Sequence, residues 1–257
     1  MISLKKILLS GITGKMGCEI LKEVNNWPNY SVVAGISRTA SNDNINIYND
    51  INMVREEFDV IIDFSSPDFT LNILNYAKRR KIPIVIGTTG FNDLQMKKIL
   101  EYSKDIPIFK ASNMSYEINL ICDILANYAY KIGNFDIEIV EEHHRNKVDS
   151  PSGTALMLAD TINNSFNNNF NYVYGRGLSK QIRSDKEIGI HSVRGGTEMG
   201  KHSILFLGDN ESIEITHNVT SRSVFAKGAL KAVNFILNKE NGLYNMKDLI
   251  EQGDSYE

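Results

Sequence analysis

An apolar run, Lys6-Ile7-Leu8-Leu9-Ser10, passes straight into the glycine turn Gly11-Ile12-Thr13-Gly14-Lys15-Met16-Gly17, and helical patterning follows over residues 15–24. This strand, turn and helix order limits the fold more than any other feature of the chain. Glycines in that context permit a tight turn and a close approach of the backbone, so a pyrophosphate can sit on the helix N-terminus. The spacing is GxxGxxG, not the commoner GxGxxG, and such a turn can also serve only to pack a helix on a strand. The strand before it and the helix after it favour the anion-binding reading.

Further strand and helix signals alternate through the first 110 or so residues. Buried strands are expected at Ser31-Val32-Val33-Ala34-Gly35-Ile36, Val60-Ile61-Ile62-Asp63-Phe64, Ile84-Val85-Ile86 and, last and shorter, Ile106-Pro107-Ile108-Phe109. Ser65-Ser66-Pro67 offers a cap and a first-turn proline for a helix to about residue 80, and another helix is expected over 92–103. Repeated units of this kind with β-branched strands imply an α/β fold with a doubly wound parallel sheet. In such a sheet Gly87-Thr88-Thr89-Gly90 lies at a strand's carboxyl end, where ligands bind. An acid that would hold a ribose 2′-hydroxyl is expected after the second strand, but Ser37-Arg38-Thr39 stands there. Arg38 can instead meet a 2′-phosphate, or remain a solvated loop residue.

After about Asn113 the pattern changes. A helix over 116–131 leads to a strand at 135–141, and strand-like runs follow at 188–194, 203–207 and 212–216, with Gly195-Gly196 and Gly208-Asp209-Asn210 read as turns between them. This is an α+β unit on a mixed or antiparallel sheet. An amphipathic helix over 225–237 is expected to return to the first domain.

The net charge of −3 speaks against a nucleic-acid surface, and no apolar run is long enough to span a bilayer. The start Met1-Ile2-Ser3-Leu4-Lys5-Lys6 reads as the lead-in to a strand and not as a signal peptide, so the expected address is the cytoplasm. Cys18 and Cys122, far apart in apolar contexts, read as reduced core thiols. The Asn-rich stretch 163–171 carries no functional signal.

The chain has five histidines, and two of them, His143 and His144, adjoin Arg145 and Lys147 at a strand end. Four basic side chains within five positions concentrate charge for an anion, and a histidine can exchange protons near neutral pH. Pro151-Ser152-Gly153-Thr154 then supplies a rigid turn, a cap and helix-terminal N–H groups, a receptor for carboxylate or phosphate. A Glu141-Glu142-His143-His144 metal site is the rival reading, but it lacks HExxH or paired-cysteine spacing, and adjacent strand residues point to opposite faces. A purely structural helix cap is also open, though it leaves the basic cluster without a role.

Taken together, Glu141 to Ala155 resembles the E-x-H-H-x-x-K-x-D-x-P-S-G-T-A pattern of the dihydrodipicolinate reductase family. The likeness extends to the glycine loop, Asp63-Phe64-Ser65, Ile86-Gly87-Thr88-Thr89-Gly90-Phe91, Ser112-Asn113-Met114-Ser115, Val193-Arg194-Gly195-Gly196, Gly200-Lys201-His202 and Ile215-Thr216-His217 through Ser221-Arg222. The resemblance implies a Rossmann-type domain, residues 1–112 plus 223–257, and a substrate-binding and oligomerisation domain, residues 113–222. It implies reduction of 4-hydroxy-2,3,4,5-tetrahydrodipicolinate by NADPH or NADH on the diaminopimelate route to lysine, by a homotetramer. By resemblance His143 is the acid/base residue and Lys147 the proton donor, while His144, Gly153 and Thr154 bind the substrate carboxylates. Cofactor contacts fall on Gly11, Ile12, Thr13, Gly14, Lys15, Met16, Arg38, Gly87, Thr88, Thr89, Ala111, Ser112, Asn113 and Met114. No metal is implied. The chain departs from the pattern at Ser37, where many members have an acid, at Glu117 in place of a common glycine, and at Lys201 in place of a common glutamate. The segment 39–55 is short, so its loops are expected to be trimmed.

Two other readings differ in class. A two-domain amino-acid or semialdehyde dehydrogenase does not account for the Pro-Ser-Gly-Thr turn and the basic pair. A dinucleotide-sensing binding protein has no need of His143 and Lys147 beside an anion turn.

Overall fold

The computed structural model describes residues 4–39, 45–177 and 180–253; the lead-in residues Met1, Ile2 and Ser3 and positions 40–44 of the short segment lie outside the described residues. The chain divides into two compact units, Met1–Tyr116 with Arg222–Glu257, and Glu117–Ser221. In chain order the elements begin with β1 (Lys5–Ser10), α1 (Lys15–Glu23), β2 (Tyr30–Ile36), β3 (Ile47–Tyr48), β4 (Val60–Asp63), α2 (Pro67–Arg80), β5 (Ile84–Ile86), α3 (Asp93–Tyr102) and β6 (Pro107–Lys110). They continue with α4 (Tyr116–Tyr128), β7 (Asp136–His143), α5 (Gly153–Ser165), β8 (Asn171–Tyr174), β9 (Glu187–Arg194), β10 (Gly200–Leu207) and β11 (Ser212–Val219). Then come α6 (Ser223–Ile236), β12 (Gly242–Tyr244) and α7 (Met246–Gln252).

The first unit is built on a seven-stranded sheet of order β12-β6-β5-β4-β1-β2-β3, every pairing parallel. Consecutive residues of its strands alternate between two cores, which is why the strands read as unbroken apolar runs. Ile7, Leu9, Val60, Ile62, Val85 and Phe109 pack with Ile20 of α1 and with Ala229, Leu230 and Val233 of α6. On the opposite face Leu8, Ile61, Ile84, Ile86 and Ile108 pack with Ile73, Leu74 and Ala77 of α2 and with Ile99 of α3. The chain runs outward one way through β2 and β3 and the other way from β4 to β12, so the order reverses between β1 and β4. The crevice that such a reversal opens lies at the carboxyl ends of these strands, beside Ser10 and Asp63.

Several expectations need correction here. The strand at 107–110 is not the last of the sheet, because β12 adds an edge beside it, and β3 adds another beside β2. Both are too short to show a period. Ser66 occupies the cap position of α2 but its side chain makes no capping bond. Cys18 is not a core thiol: α1 buries Gly17, Ile20 and Glu23, and Cys18 falls on the exposed side. Cys122 is half-buried, and both are free.

The second unit carries a five-stranded mixed sheet of order β11-β10-β7-β9-β8. The central strand β7 is parallel to β9 and antiparallel to β10. Gly195-Gly196 therefore does not close a hairpin, since β7 lies between β9 and β10, whereas Gly208-Asp209-Asn210 does join the antiparallel pair β10 and β11. The Asn-rich stretch runs directly into β8, an edge strand parallel to β9. One sheet face buries Ile137, Ile139, Ile188, Ile190, Ile204 and Phe206 against Ile118 and Leu125 of α4 and against Ala155, Leu158, Ala159 and Ile162 of α5. The other face carries ion pairs of Glu138 with Arg176 and Arg183, and Glu138 Oε2 lies 2.7 Å from His191 Nε2.

Candidate active site

The expected cofactor residues of the first unit share one sheet edge, because every strand before them runs in the same direction. Gly11 to Gly14 bridge β1 and α1, Arg38 follows β2, Gly87 to Thr89 follow β5, and Ala111 to Met114 follow β6. Gly11 has φ of +77°, and a Cβ there would stand 2.2 Å from the Phe64 carbonyl oxygen, so only glycine fits. Gly14 caps α1 without a side-chain bond, and no acid stands in the first turn of that helix. The resulting bare helix terminus suits the pyrophosphate of a dinucleotide. Thr13 Oγ1 lies 2.5 Å from Ser37 Oγ, which ties the glycine loop to the segment bearing the exposed Arg38.

Not all of these residues offer a side chain. Ile12 and Met114 are buried in the core at 1% and 3% exposure, so only their backbones are available to a ligand. Thr88 is likewise turned inward: its hydroxyl lies 2.9 Å from Asp63 Oδ2 and accepts the Ser65 N–H at 2.9 Å. Asp63 also takes the hydroxyls of Ser65 at 2.6 Å and Thr70 at 2.5 Å. Burial pushes the Asp63 carboxyl above the usual range, and these hydroxyls pull it the other way. The fully buried carboxyl thus knots the turn after β4 to α2 and to the Gly87 loop, a role that the sequence reading did not assign.

In the second unit the site is assembled from three neighbouring strands. Glu141 and His143 are two residues apart on β7, so they share a face. Register places Ser192 and Arg194 of β9 beside them on one flank, and His202 of β10 on the other. His143 Nδ1 lies 2.5 Å from Glu141 Oε2. Arg194 grips the same carboxylate with both arms, at 2.8 and 2.6 Å, and the Ser152 N–H donates to Glu141 Oε1 at 3.2 Å. Ser152 in turn caps α5 by accepting the Ala155 N–H at 3.1 Å, and its oxygen lies 2.9 Å from His202 Nε2. The rings of His143 and His202 meet edge to face at 5.2 Å.

Burial would raise the Glu141 carboxyl, but hydrogen bonds from Arg194, Ser192 and His143 outweigh it and hold the group at about 2. Burial lowers His143, opposed in part by the Glu141 carboxylate. Burial likewise brings His202 down to about 4. At neutral pH both imidazoles are therefore uncharged beside an ionised carboxylate. An ionised carboxylate can only accept, so His143 Nδ1 carries the proton and Nε2 is left with its lone pair. That nitrogen faces Gly200, where an added Cβ would stand 3.0 Å away.

The loop after β7 carries the remaining expected residues. His144 is anchored by its backbone N–H to the Glu198 carbonyl at 2.7 Å, and its buried Nδ1 has no protein partner among the described residues. Lys147 Nζ is held by both oxygens of Asp149, at 2.7 and 2.8 Å. Gly153 and Thr154 open α5, with open space at the Cα of Gly153. The structure brings His143, Glu141, Arg194, Ser152 and His202 into one bonded cluster, and it sets Lys147 on Asp149. The sequence reading assigned no role to Glu141, Arg194 or His202. The i, i+2 spacing of Glu141 and His143 on a strand was the available signal for the first; the other two come from distant segments.

Two family models match the chain. The model described as dihydrodipicolinate reductase, N-terminus, matches residues 5–114, and that described as dihydrodipicolinate reductase, C-terminus, matches residues 117–250. A 4-hydroxy-tetrahydrodipicolinate reductase of Caldanaerobacter subterraneus subsp. tengcongensis is 45% identical over 248 residues, covering 96% of this chain and 99% of that relative. One from Clostridium novyi is also 45% identical over 248 residues, covering 96% and 98%. Among solved structures, dipicolinate-bound dihydrodipicolinate reductase from Paenisporosarcina sp. TG-14 superposes with a TM-score of 0.79 at 24% identity, over 94% of this chain and 97% of that one. The chain belongs to the dihydrodipicolinate reductase family.

Proposed function

We propose that the protein reduces 4-hydroxy-2,3,4,5-tetrahydrodipicolinate to 2,3,4,5-tetrahydrodipicolinate with NADPH or NADH, on the diaminopimelate route to lysine. The observation that carries this reading is the neutral His143, held on an ionised Glu141 beside the N-terminus of α5. The first unit is the dinucleotide-binding domain and the second the substrate domain.

The glycine loop and α1, Arg38, and the segments at Gly87 to Thr89 and Ala111 to Met114 hold the cofactor, which when bound supplies a hydride to the substrate ring. The second unit does the rest. His144, Gly153 and Thr154 receive the two carboxylates, and the first-turn N–H groups of α5 add the positive end of the helix dipole. His143 exchanges a proton at Nε2. Lys147 leaves Asp149 for the substrate and donates a proton to the ring carbon next to the one that gains the hydride. The 4-hydroxyl departs as water together with a proton from that neighbouring carbon before the hydride adds, so the C–H bond broken in the elimination is the one that the Lys147 proton restores. Holding these groups in place accounts for most of what a protein adds to nicotinamide chemistry.

The test is an assay with substrate made in situ by dihydrodipicolinate synthase, following oxidation of NADPH and of NADH. Turnover that depends on the synthase product supports the reading. Turnover with an amino acid or semialdehyde instead would point to another dehydrogenase, and cofactor binding with no turnover would point to a sensor.

The proposal includes a homotetramer built on the sheet of the second unit, whose outer face exposes Val193 and Leu207. A monomeric mass by light scattering at micromolar concentration would overturn that part. No helix among the described residues is long and apolar enough to cross a membrane, and the proposed location is the cytoplasm.

A further inference from the structure

We propose that Glu141, gripped by Arg194, is a positioning residue that fixes the tautomer of His143 and ties the Lys147 segment to the same anchor. The proposal rests on the acid–base reading of His143 and Lys147 given above.

The geometry supports both halves. Glu141 is fully buried, and its two oxygens receive His143 Nδ1, both arms of Arg194 and the Ser152 N–H. A carboxylate with every bond directed at it can only accept, and it orients the imidazole much as a carboxylate orients a metal-binding or catalytic histidine elsewhere. With Nδ1–H committed to Glu141, the Nε2 lone pair is the one position left for proton exchange. The alternative tautomer would set a lone pair against the carboxylate at 2.5 Å.

Arg194 also reaches beyond this pair. Its Nη2 donates to the Asp149 carbonyl at 2.8 Å, and the Asp149 carboxylate holds Lys147 Nζ. One guanidinium therefore braces the carboxylate beneath His143 and the backbone of the residue that parks Lys147. Its planar fork makes this possible, and a lysine could not serve both. The charged and titratable groups around His143 are Glu141 on its own strand, Arg194 on β9, His202 on β10 and Lys147 on the loop.

The experiment uses full-length protein with ¹⁵N-labelled histidine. In the parent near neutral pH, His143 should appear as the Nδ1–H tautomer, and in Glu141→Gln as Nε2–H or a mixture. Finding Nε2–H in the parent, or an unchanged tautomer in a folded Glu141→Gln, overturns the proposal. The parent spectrum decides the matter even if the variant does not fold. In kinetics, Glu141→Gln should lower kcat about 10- to 100-fold, within the range of general acid–base effects. It should also move the acidic limb of the pH profile to lower pH, because the carboxylate that supports protonation of His143 is gone while Lys147 and Arg194 remain. Added to His143→Gln, the same change should cost less than about twofold, since a positioning residue has nothing left to position. Additive losses overturn the proposal. Arg194→Lys should fall between the parent and Arg194→Gln, and equal loss in both would refute the bidentate brace. Should His143→Gln alone keep parental turnover, the acid–base reading fails, and the tautomer measurement still judges this proposal separately.

Discussion

Glu141 Oε2 and His143 Nδ1 stand 2.5 Å apart on one face of β7, and Arg194 grips both oxygens of the same carboxylate. The arrangement reconciles two opposing demands. A buried histidine tends to shed its proton, and a buried carboxylate tends to take one up. Here Arg194 absorbs the charge of Glu141, so the carboxylate stays ionised and the imidazole stays neutral with a defined tautomer. A neutral imidazole with a free Nε2 is what proton exchange near pH 7 needs.

The first prediction is that His143→Gln lowers kcat by about 10²–10⁴-fold with little change in KM. On the proposed reading the ring meets substrate only through proton exchange, with His144 and the start of α5 proposed as the carboxylate receptors. A rise in KM at constant kcat would show that His143 merely binds.

Lys147 should behave differently. Its ammonium sits on Asp149, and in the proposed mechanism it transfers to the substrate, where it both binds and donates. Lys147→Ala should lower kcat and raise KM together. Pyridine-2,6-dicarboxylate, a planar relative of the substrate, should compete with it and bind the variant more weakly. Near-parental turnover and unaltered inhibition in this variant, together with an active His143→Gln, would leave the basic cluster as a solvated surface.

The doubly wound sheet was legible because buried parallel strands such as Ile7-Leu8-Leu9 announce themselves by composition, and because Gly11 sits where no other residue fits. The strands at 47–48 and 242–244 were not legible, since two or three residues carry no period. β8, Asn171-Tyr172-Val173-Tyr174, was not legible because it is only four residues long and begins where the Asn-rich stretch ends. In the site, the cluster from His143 to Thr154 was visible as one stretch of sequence. Arg194 and His202 were not assignable, because only strand register brings residues some 50 to 60 positions away beside His143. Asp63 stands in a strand run and in the family motif Asp63-Phe64-Ser65 without a role of its own in the sequence; its part in holding Thr88 depends on partners in the turn after β4, in α2 and in the Gly87 loop.

The cofactor prediction is that NADPH is used at least as well as NADH. Ser37, where an acid would repel a 2′-phosphate, instead bonds Thr13 of the glycine loop, and Arg38 next to it is exposed. Arg38→Ala should weaken NADPH selectively. Equal weakening of both cofactors, or a tenfold preference of the parent for NADH, contradicts it.

The last prediction concerns stability and pH. His202 is buried, packs edge to face on His143, and titrates at about 4, against 6.5 for a free imidazole. The folded form therefore holds His202 neutral over a range in which the unfolded chain binds a proton. Where the unfolded state binds more protons, stability rises with pH. The contribution is thus complete above about 6.5 and is lost as the pH falls toward 4, with a ceiling of roughly 3 kcal/mol. Glu141 adds a loss of the same sign at lower pH, between its unfolded value of 4.5 and about 2, so the two windows barely overlap. The measurement is urea unfolding of the parent and of His202→Gln at about pH 7 and about pH 4.5. The parent should lose more stability than the variant across that interval, by about 1–3 kcal/mol. Glutamine keeps a polar contact for the Ser152 hydroxyl but cannot take up a proton, so the difference isolates the titration from the packing. Equal losses in the two proteins would mean that His202 titrates normally and that burial does not hold it neutral.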